Sequence, residues 1–336
     1  MKKKLWAMFC VALVGIALGF PASPSTSAGA SREGRDTLAR ALACYRGTNG
    51  TRNLTEAIRL WTQAANSGNP IAQYNLGTVF YHGESGATNT TQAAVWFRKA
   101  AEQGLPQAQV ALGGLLESGE GVTTSMSGAL SWYEKAAIQG EAVAQYLLGA
   151  SLLEGRGTSL NLSNAVLWLR RAADAGVSGA ENDLGTLYLA GTGVAKDPVE
   201  AFKLFSKAAM KGRALAQYNL GLCYRNGQGT LKNPAEAARW FQRAAEQGHA
   251  DGMASLGACY LKGFGVDTNL VEVWRWMNLA AQRSNTIAVA TVDYLNSDQS
   301  SFKITSEQKK RAELLAREFI PKREKNQSAP QFISEP

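Results

Sequence analysis

The chain has 336 residues, of which 45% are hydrophobic and 18% are charged. This composition can supply a sizeable buried core, and it excludes a wholly disordered chain. The formal net charge is +8, of which Lys2, Lys3 and Lys4 supply three, so the remaining chain carries +5. This mild surplus does not indicate a nucleic-acid-binding protein.

The first thirty residues have the order of a secretory signal peptide, which we assign to residues 1–30. The three lysines precede an apolar run from Leu5 to Phe20, and Ala28-Gly29-Ala30 offers a small-residue cleavage site. The alternative, an uncleaved membrane anchor, is disfavoured because the run is shorter than the roughly 20 residues that span a bilayer. We therefore expect a protein without a stable membrane anchor that is periplasmic or secreted, with a bacterial source preferred.

Two landmarks then recur every 36 residues along the chain. One is a Leu-Gly pair, and the other is an Ala-x-x-Trp or Ala-x-x-Leu segment that leads to Ala-Ala. The pairs begin at Leu76, Leu112, Leu148, Leu184, Leu220 and Leu256, and the segments begin at Ala57, Ala93, Ala129, Ala165, Ala201, Ala237 and, more loosely, Val273. Seven repeats in one register, without an insertion, indicate a repeat architecture.

Each repeat is expected to contain two helices. In repeat two, Ala72, Leu76 and Phe80 have the spacing of one helix face, and the run ends at Gly83. A second helix is expected over residues 91–102. Because a single helix pair cannot cover its apolar face, neighbouring pairs must stack. The sequence therefore predicts an all-α fold, a right-handed α-solenoid of about seven helix-turn-helix units with C-terminal capping helices.

These landmarks resemble the Sel-one-like repeat family, a branch of the tetratricopeptide-type (TPR-like) helical repeats. The segments that carry the resemblance best are Ala72–Gly77, Ala216–Gly221 and Trp240–Gly248. The resemblance covers roughly residues 33 to 283, and the first repeat is degenerate, with Arg40-Ala41 in place of Leu-Gly. It implies a helical-repeat scaffold that takes part in protein–protein interaction.

Several helix boundaries can be predicted from their terminal residues. Asp197-Pro198 and Asn233-Pro234 combine an N-cap residue with a proline at the first helical position. Residues 286–295 continue one more first-helix pattern, and Thr305 with Gln308 predicts a capping box that opens a final helix ending near Ile320. We thus assign residues 31–320 to the solenoid with its capping helices and residues 321–336 to a disordered tail.

The tryptophans of the repeats allow two interpretations, a ligand-stacking platform or core packing. Trp96, Trp132, Trp168, Trp240 and Trp276 share one position of the repeat, which Leu60 and Leu204 take elsewhere. Because leucine can replace a packing residue but not a stacking platform, we expect these tryptophans in the core. Cys223 and Cys259 also share a position, on neighbouring helices too far apart for a disulfide, so buried free thiols are expected.

No catalytic constellation is evident, and we expect a non-catalytic protein without cofactor or metal. His82 and His249 have no evident triad partners. Ser300 and Lys303 have Ser-x-x-Lys spacing, but they lie in a polar stretch outside the repeats and no Lys-Thr-Gly accompanies them. The alternative is a cell-wall protein that binds or hydrolyses peptidoglycan or a β-lactam.

The remaining candidate site is the concave groove lined by the first helices. Residues one position before Leu76 and two, three and six positions after it are expected to face outward, together with their equivalents in other repeats. The candidates for binding a partner are Asn75, Thr78, His82, Asp183, Asn219 and Asn226. Asparagine side chains both donate and accept hydrogen bonds, so they suit a peptide backbone, although a plain soluble helix face would show the same residues. We expect a protein or peptide partner and no nucleic acid.

Overall fold

The computed structural model describes residues 32–48, 50–297, 300–302 and 304–322, so the expected signal peptide and most of the expected tail lie outside the described residues. Over these ranges the chain forms sixteen α-helices and no strand. In chain order they are α1 (Arg32–Arg46), α2 (Leu54–Asn66), α3 (Pro70–His82), α4 (Thr90–Glu102), α5 (Pro106–Ser118), α6 (Met126–Ile138), α7 (Ala142–Glu154), α8 (Leu162–Asp174), α9 (Ser178–Ala190), α10 (Pro198–Met210), α11 (Ala214–Asn226), α12 (Pro234–Glu246), α13 (Ala250–Lys262), α14 (Leu270–Ala281), α15 (Thr286–Asn296) and α16 (Ser306–Arg317).

The helices belong to two units. Unit 1 holds α1 to α8, and unit 2 holds α9 to α16. In each unit the helices pack in sequence, so that an odd-numbered first helix and the following even-numbered second helix form one hairpin, and α15 and α16 both pack on α14. These consecutive helix pairs confirm an all-α solenoid of about seven repeats.

The helix ends follow the expected local chemistry. The side chain of Asp197 accepts hydrogen bonds from the backbone N–H groups of Val199 and Glu200, which caps α10. First helices end instead at a glycine in the left-handed conformation; Gly83, with φ of 70°, closes α3. A side chain at this position would be strained, which explains why a glycine recurs there.

A close approach between a glycine and a large side chain joins the two helices of a hairpin. A Cβ atom added to Gly113 would lie 2.5 Å from Cε1 of Tyr133, and one added to Gly221 would lie 2.7 Å from Cδ1 of Phe241. The equivalent pairs are Gly77–Phe97, Gly149–Leu169, Gly185–Phe205 and Gly257–Met277. Glycine is therefore needed in the Leu-Gly landmark because the second helix packs against its bare backbone.

Buried amides add a second repeating contact. Nε2 of Gln73 donates to the carbonyl oxygen of Ala65 at 3.2 Å, and Oε1 of Gln73 accepts from Gln103 at 2.7 Å. The same pair of bonds recurs at Gln109 and Gln217. In repeat five, Glu181 and Lys211 take the two glutamine positions and form an ion pair at 2.7 Å. Lys211 thus compensates a carboxylate that would be costly to bury alone.

The expectation that these tryptophans pack in the core is only partly right. Trp276 is 4% exposed, but the other four tryptophans at this position are half-buried. Each of these four lies under a cation from the following helical turn, at 4.1 to 4.7 Å from the ring centroid: Trp96 under Lys99, Trp132 under Lys135, Trp168 under Arg171 and Trp240 under Arg243. The indoles therefore cover the edge of the core, where an exposed Lys or Arg can stack on them.

Two capping helices complete unit 2. Thr305 and Gln308 form the expected capping box of α16, which ends at Arg317 rather than at Ile320. Lys322, which the sequence assigns to the tail, instead contacts the end of α12. Its backbone N–H donates to the carbonyl oxygen of Glu246 at 2.8 Å.

Replacement of Gly113 by alanine tests the close approach of the two helices. The new methyl group would collide with the Tyr133 ring, so we expect a loss of about 1–3 kcal/mol in the free energy of unfolding, measured by urea denaturation. The matched control is Gly257→Ala, whose Cβ would meet the flexible side chain of Met277 at 3.1 Å. We expect the control to be nearly neutral, since alanine gains about 1 kcal/mol of helix propensity. Equal losses in the two variants would contradict this explanation.

Candidate partner-binding face

In unit 2, the first helices leave a row of polar and apolar side chains partly exposed. We call Asp183, Thr186, Tyr218, Asn219, Leu222 and Asn226 the first-helix face of unit 2. Thr186 and Asn226 are exposed, and the other four residues are half-buried. Three predicted candidates, Asp183, Asn219 and Asn226, thus lie on one face of two neighbouring repeats.

A buried amide holds two of these candidates in place. Asn182, which is 2% exposed, accepts a hydrogen bond from Nδ2 of Asn219 at 2.9 Å and donates to Oδ1 of Asp183 at 3.1 Å. Since Asn219 donates through Nδ2, its carbonyl oxygen keeps acceptor capacity for a ligand N–H. The arrangement fixes the direction of both side chains before any partner binds, which lowers the entropic cost of binding.

Tyr218 forms the aromatic part of the same face. Its ring lies 5.1 Å from the ring of His249 and 5.8 Å from that of Phe241, measured between centroids. Burial raises the pKa of Tyr218, and the charge of Asp251 raises it further, while Arg225 and a hydrogen bond with Ser255 oppose the shift. The phenol is therefore neutral at physiological pH and offers an apolar ring with one polar end.

The candidates of unit 1 have different environments. Asn75 and Thr78 are 1% and 5% exposed, and the hydroxyl of Thr78 donates to the carbonyl oxygen of Tyr74 at 3.0 Å. The expectation that these two face outward is therefore wrong, because α3 is buried on all sides from Ala72 to Val79. His82, at the end of α3, is exposed.

The position three residues after the landmark leucine was also expected to face outward, and it does not. Val79 and Cys223 occupy it, and both are 0% exposed. Three residues turn an α-helix through about 300°, which brings the side chain back to within about 60° of the leucine on the buried side. Cys223 and Cys259 are free thiols in this environment, as expected.

Sequence reasoning missed Asn182, the residue that connects the two candidates. Its position in the repeat carries Tyr74, Tyr146 and Tyr218 elsewhere. The signal that could have identified it was an amide in a position that in other repeats carries tyrosine, valine or alanine. The structure describes no group of three or more His, Cys, Asp or Glu side chains that could hold a metal ion within the ranges given above.

The sequence model of the Sel1 repeat matches seven consecutive segments of the chain. They are residues 38–69, 70–105, 106–141, 142–177, 178–212, 214–249 and 250–285. No curated protein matches the sequence. Among the helices that the structure describes, none is both long and apolar enough to cross a membrane.

Two solved structures are similar to the chain in both sequence and fold. One is c5321, a protective antigen present in uropathogenic Escherichia coli strains and displaying an SLR fold, with 31% identity and a TM-score of 0.79. The similarity covers 87% of this chain and 62% of c5321, so the chain spans less than two thirds of that relative. The other is a Sel1 repeat protein from Oxalobacter formigenes, with 32% identity, a TM-score of 0.67, and coverage of 73% of this chain and 96% of that one.

Thiol reactivity tests whether the helix position three residues after the landmark leucine, which Cys223 and Cys259 occupy, faces the core. Burial raises the pKa of Cys223 and of Cys259 to about 11, so both remain protonated thiols at pH 8. We expect iodoacetamide at pH 8 to label Cys44, which is half-buried, well before Cys223 and Cys259, with all three labelled in 6 M guanidinium chloride. Peptide mapping by mass spectrometry reads each site separately. Rapid labelling of native Cys223 would show that its position faces solvent after all.

Proposed function

The chain belongs to the Sel1 repeat family, and on that premise we propose that it is an exported, non-catalytic scaffold whose first-helix face in unit 2 binds a segment of a partner protein. Sel1 repeat proteins are generally helical-repeat scaffolds for protein interactions. Beyond this general role, we propose a specific binding face, a periplasmic or secreted location, and a partner segment that binds in an extended or locally ordered conformation.

The observation that supports the face most directly is the hydrogen-bonded group of Asn182, Asp183 and Asn219. A scaffold needs polar side chains whose directions are fixed before binding, and the buried amide of Asn182 supplies that restraint. Around this group, Leu222 and Tyr218 offer apolar area for side chains of the partner. Fixed acceptors beside apolar surface suit a peptide backbone with its side chains.

Two observations favour export. Residues 1–30 have the composition and order of a secretory signal peptide. The relative c5321, 31% identical, is a protective antigen. Recognition of that relative as an antigen agrees with export, for which the leader-like first residues of this chain are the main support.

The alternative of a peptidoglycan- or β-lactam-reactive serine receives no support from the surroundings of Ser300. This residue is 4% exposed, and its hydroxyl donates to the carbonyl oxygen of Phe302 at 3.1 Å while accepting from the backbone N–H of Phe302 at 3.2 Å. A nucleophile needs access to its substrate and an adjacent base, and the contacts of Ser300 are local and structural.

A comparison of two double variants in partner capture tests the proposed face. Asp183→Ala with Asn219→Ala removes the polar group, whereas Lys203→Ala with Arg239→Ala changes exposed second-helix residues of the same unit. Each full-length protein is immobilised and exposed to the native envelope fraction. We expect the first variant to lose about ten-fold in apparent affinity for the captured partner, as for the loss of one or two good hydrogen bonds.

The second double variant is the control and is expected to capture the partner like the wild type. Both variants should have the helical content of the wild type by circular dichroism. Capture of one partner to the same extent by all three proteins would show that the first-helix face of unit 2 is not the binding surface.

A further inference from the structure

A short segment after α16 lies on the second-helix side of unit 2, away from the first-helix face. We call Glu318 to Lys322 the C-terminal strap. The Phe319 ring meets the Trp276 ring edge-on, with centroids 5.5 Å apart. Lys322 donates its backbone N–H to the carbonyl oxygen of Glu246 at 2.8 Å and places its ammonium 2.6 Å from the carboxylate of the same residue. The strap therefore joins α14 to the C-terminal end of α12.

Beneath the strap, the surface of unit 2 forms a slot that is lined by both polar and apolar side chains. A cavity of about 410 Å³ lies beside the strap and is lined by Gln242, Glu246, Tyr260, Glu272 and Arg275, as well as by strap residues. Nε of Arg275 has no hydrogen-bond partner among the described residues. The slot thus keeps unfilled volume next to the seated strap.

The slot differs from the equivalent surface of the other repeats. The half-buried tryptophans lie under a cation three residues later, but Leu279 takes that cation position after Trp276 and is itself 3% exposed. In this repeat the cation over the indole is instead Arg275, whose guanidinium lies 4.6 Å from the Trp276 ring centroid, and the Phe319 ring meets the indole edge-on.

Only part of the strap is anchored. Ile320, between the two anchoring residues, is 85% exposed. The side chain of Lys322 is 71% exposed, and ion pairs so open to solvent contribute little to stability. The strap is held by the packing of Phe319 against Trp276 and Arg283, one backbone hydrogen bond and one exposed ion pair, and a competitor with the same groups can displace it.

We propose that this slot is a peptide-binding site, that the strap is its built-in occupant, and that a partner segment with an aromatic residue followed three positions later by Lys or Arg replaces the strap. The aromatic ring packs on Trp276, and the cation pairs with Glu246 at the C-terminal end of α12, where a positive charge also meets the negative end of the helix dipole. Larger side chains than those of the strap enter the cavity beside Arg275 and Glu272. The inference does not depend on the first-helix face.

A binding experiment with the strap sequence as a free peptide tests this proposal. The probe is the fluorescein-labelled peptide Arg-Glu-Phe-Ile-Pro-Lys-Arg-Glu, which has the sequence of residues 317–324. The full-length variant Phe319→Ala with Lys322→Ala releases the strap. In the wild type the tethered strap competes at an effective concentration in the millimolar range. We therefore expect the released variant to bind the probe at least about ten-fold more tightly than the wild type does, measured by fluorescence anisotropy.

Two controls make the result specific. Adding Glu246→Gln to the released variant should weaken probe binding about five-fold. The fold should tolerate this substitution, because the same position of the repeat carries Ile138 and Met210 elsewhere. A probe with Phe replaced by Ala should not bind. Equal, weak binding of the probe to wild type and released variant, or binding that Glu246→Gln leaves unchanged, would overturn the proposal and leave the strap as a structural cap. Asp183→Ala with Asn219→Ala should not alter probe binding, so the two proposed faces can fail independently.

Discussion

The fold depends on the contact between the bare backbone of a first-helix glycine and a large side chain of the second helix. At Gly113 and Gly221 a Cβ atom would fall well inside the van der Waals distance of the Tyr133 and Phe241 rings. This contact sets how closely the helices of a hairpin approach each other. Because every hairpin then has the same geometry, successive hairpins stack in the same way. Equivalent side chains of neighbouring repeats therefore lie side by side. The row from Asp183 to Asn219 exists for this reason.

Much of the fold could be predicted because its signals are local and repeated. Glycine closes the first helices, Asp197 caps a second helix as expected, and Thr305 with Gln308 forms the expected capping box. Each of these depends on backbone chemistry within one helical turn. The 36-residue period then allows a single correctly interpreted repeat to be extended to the others.

The candidate site was less predictable because exposure depends on packing around the whole helix. Asn75 and Asn219 hold the same position of the repeat, yet Asn75 is 1% exposed and Asn219 is half-buried. The strap was missed for a related reason. Ala312, Leu315 and Phe319 have the spacing of one helix face, but α16 ends at Arg317, and the contacts of Phe319 and Lys322 are with residues far away in sequence. For locating a candidate site, polar residues that depart from the repeat pattern are more informative than the pattern itself. Glu181 with Lys211, and Asn182 with Asn219, both mark repeat five as chemically different from its neighbours.

Site-specific photo-crosslinking tests the central claim, that the first-helix face of unit 2 is the binding surface, most directly. The photoreactive residue benzoylphenylalanine is placed at Leu222 on that face, and in a separate protein at Arg239 on the second-helix side of the same repeat. Each full-length protein is irradiated in the native envelope fraction. We expect a covalent adduct of one partner from position 222 that Asn219→Ala weakens, and no such adduct from position 239. An adduct that forms from position 239 and not from position 222 would contradict the claim.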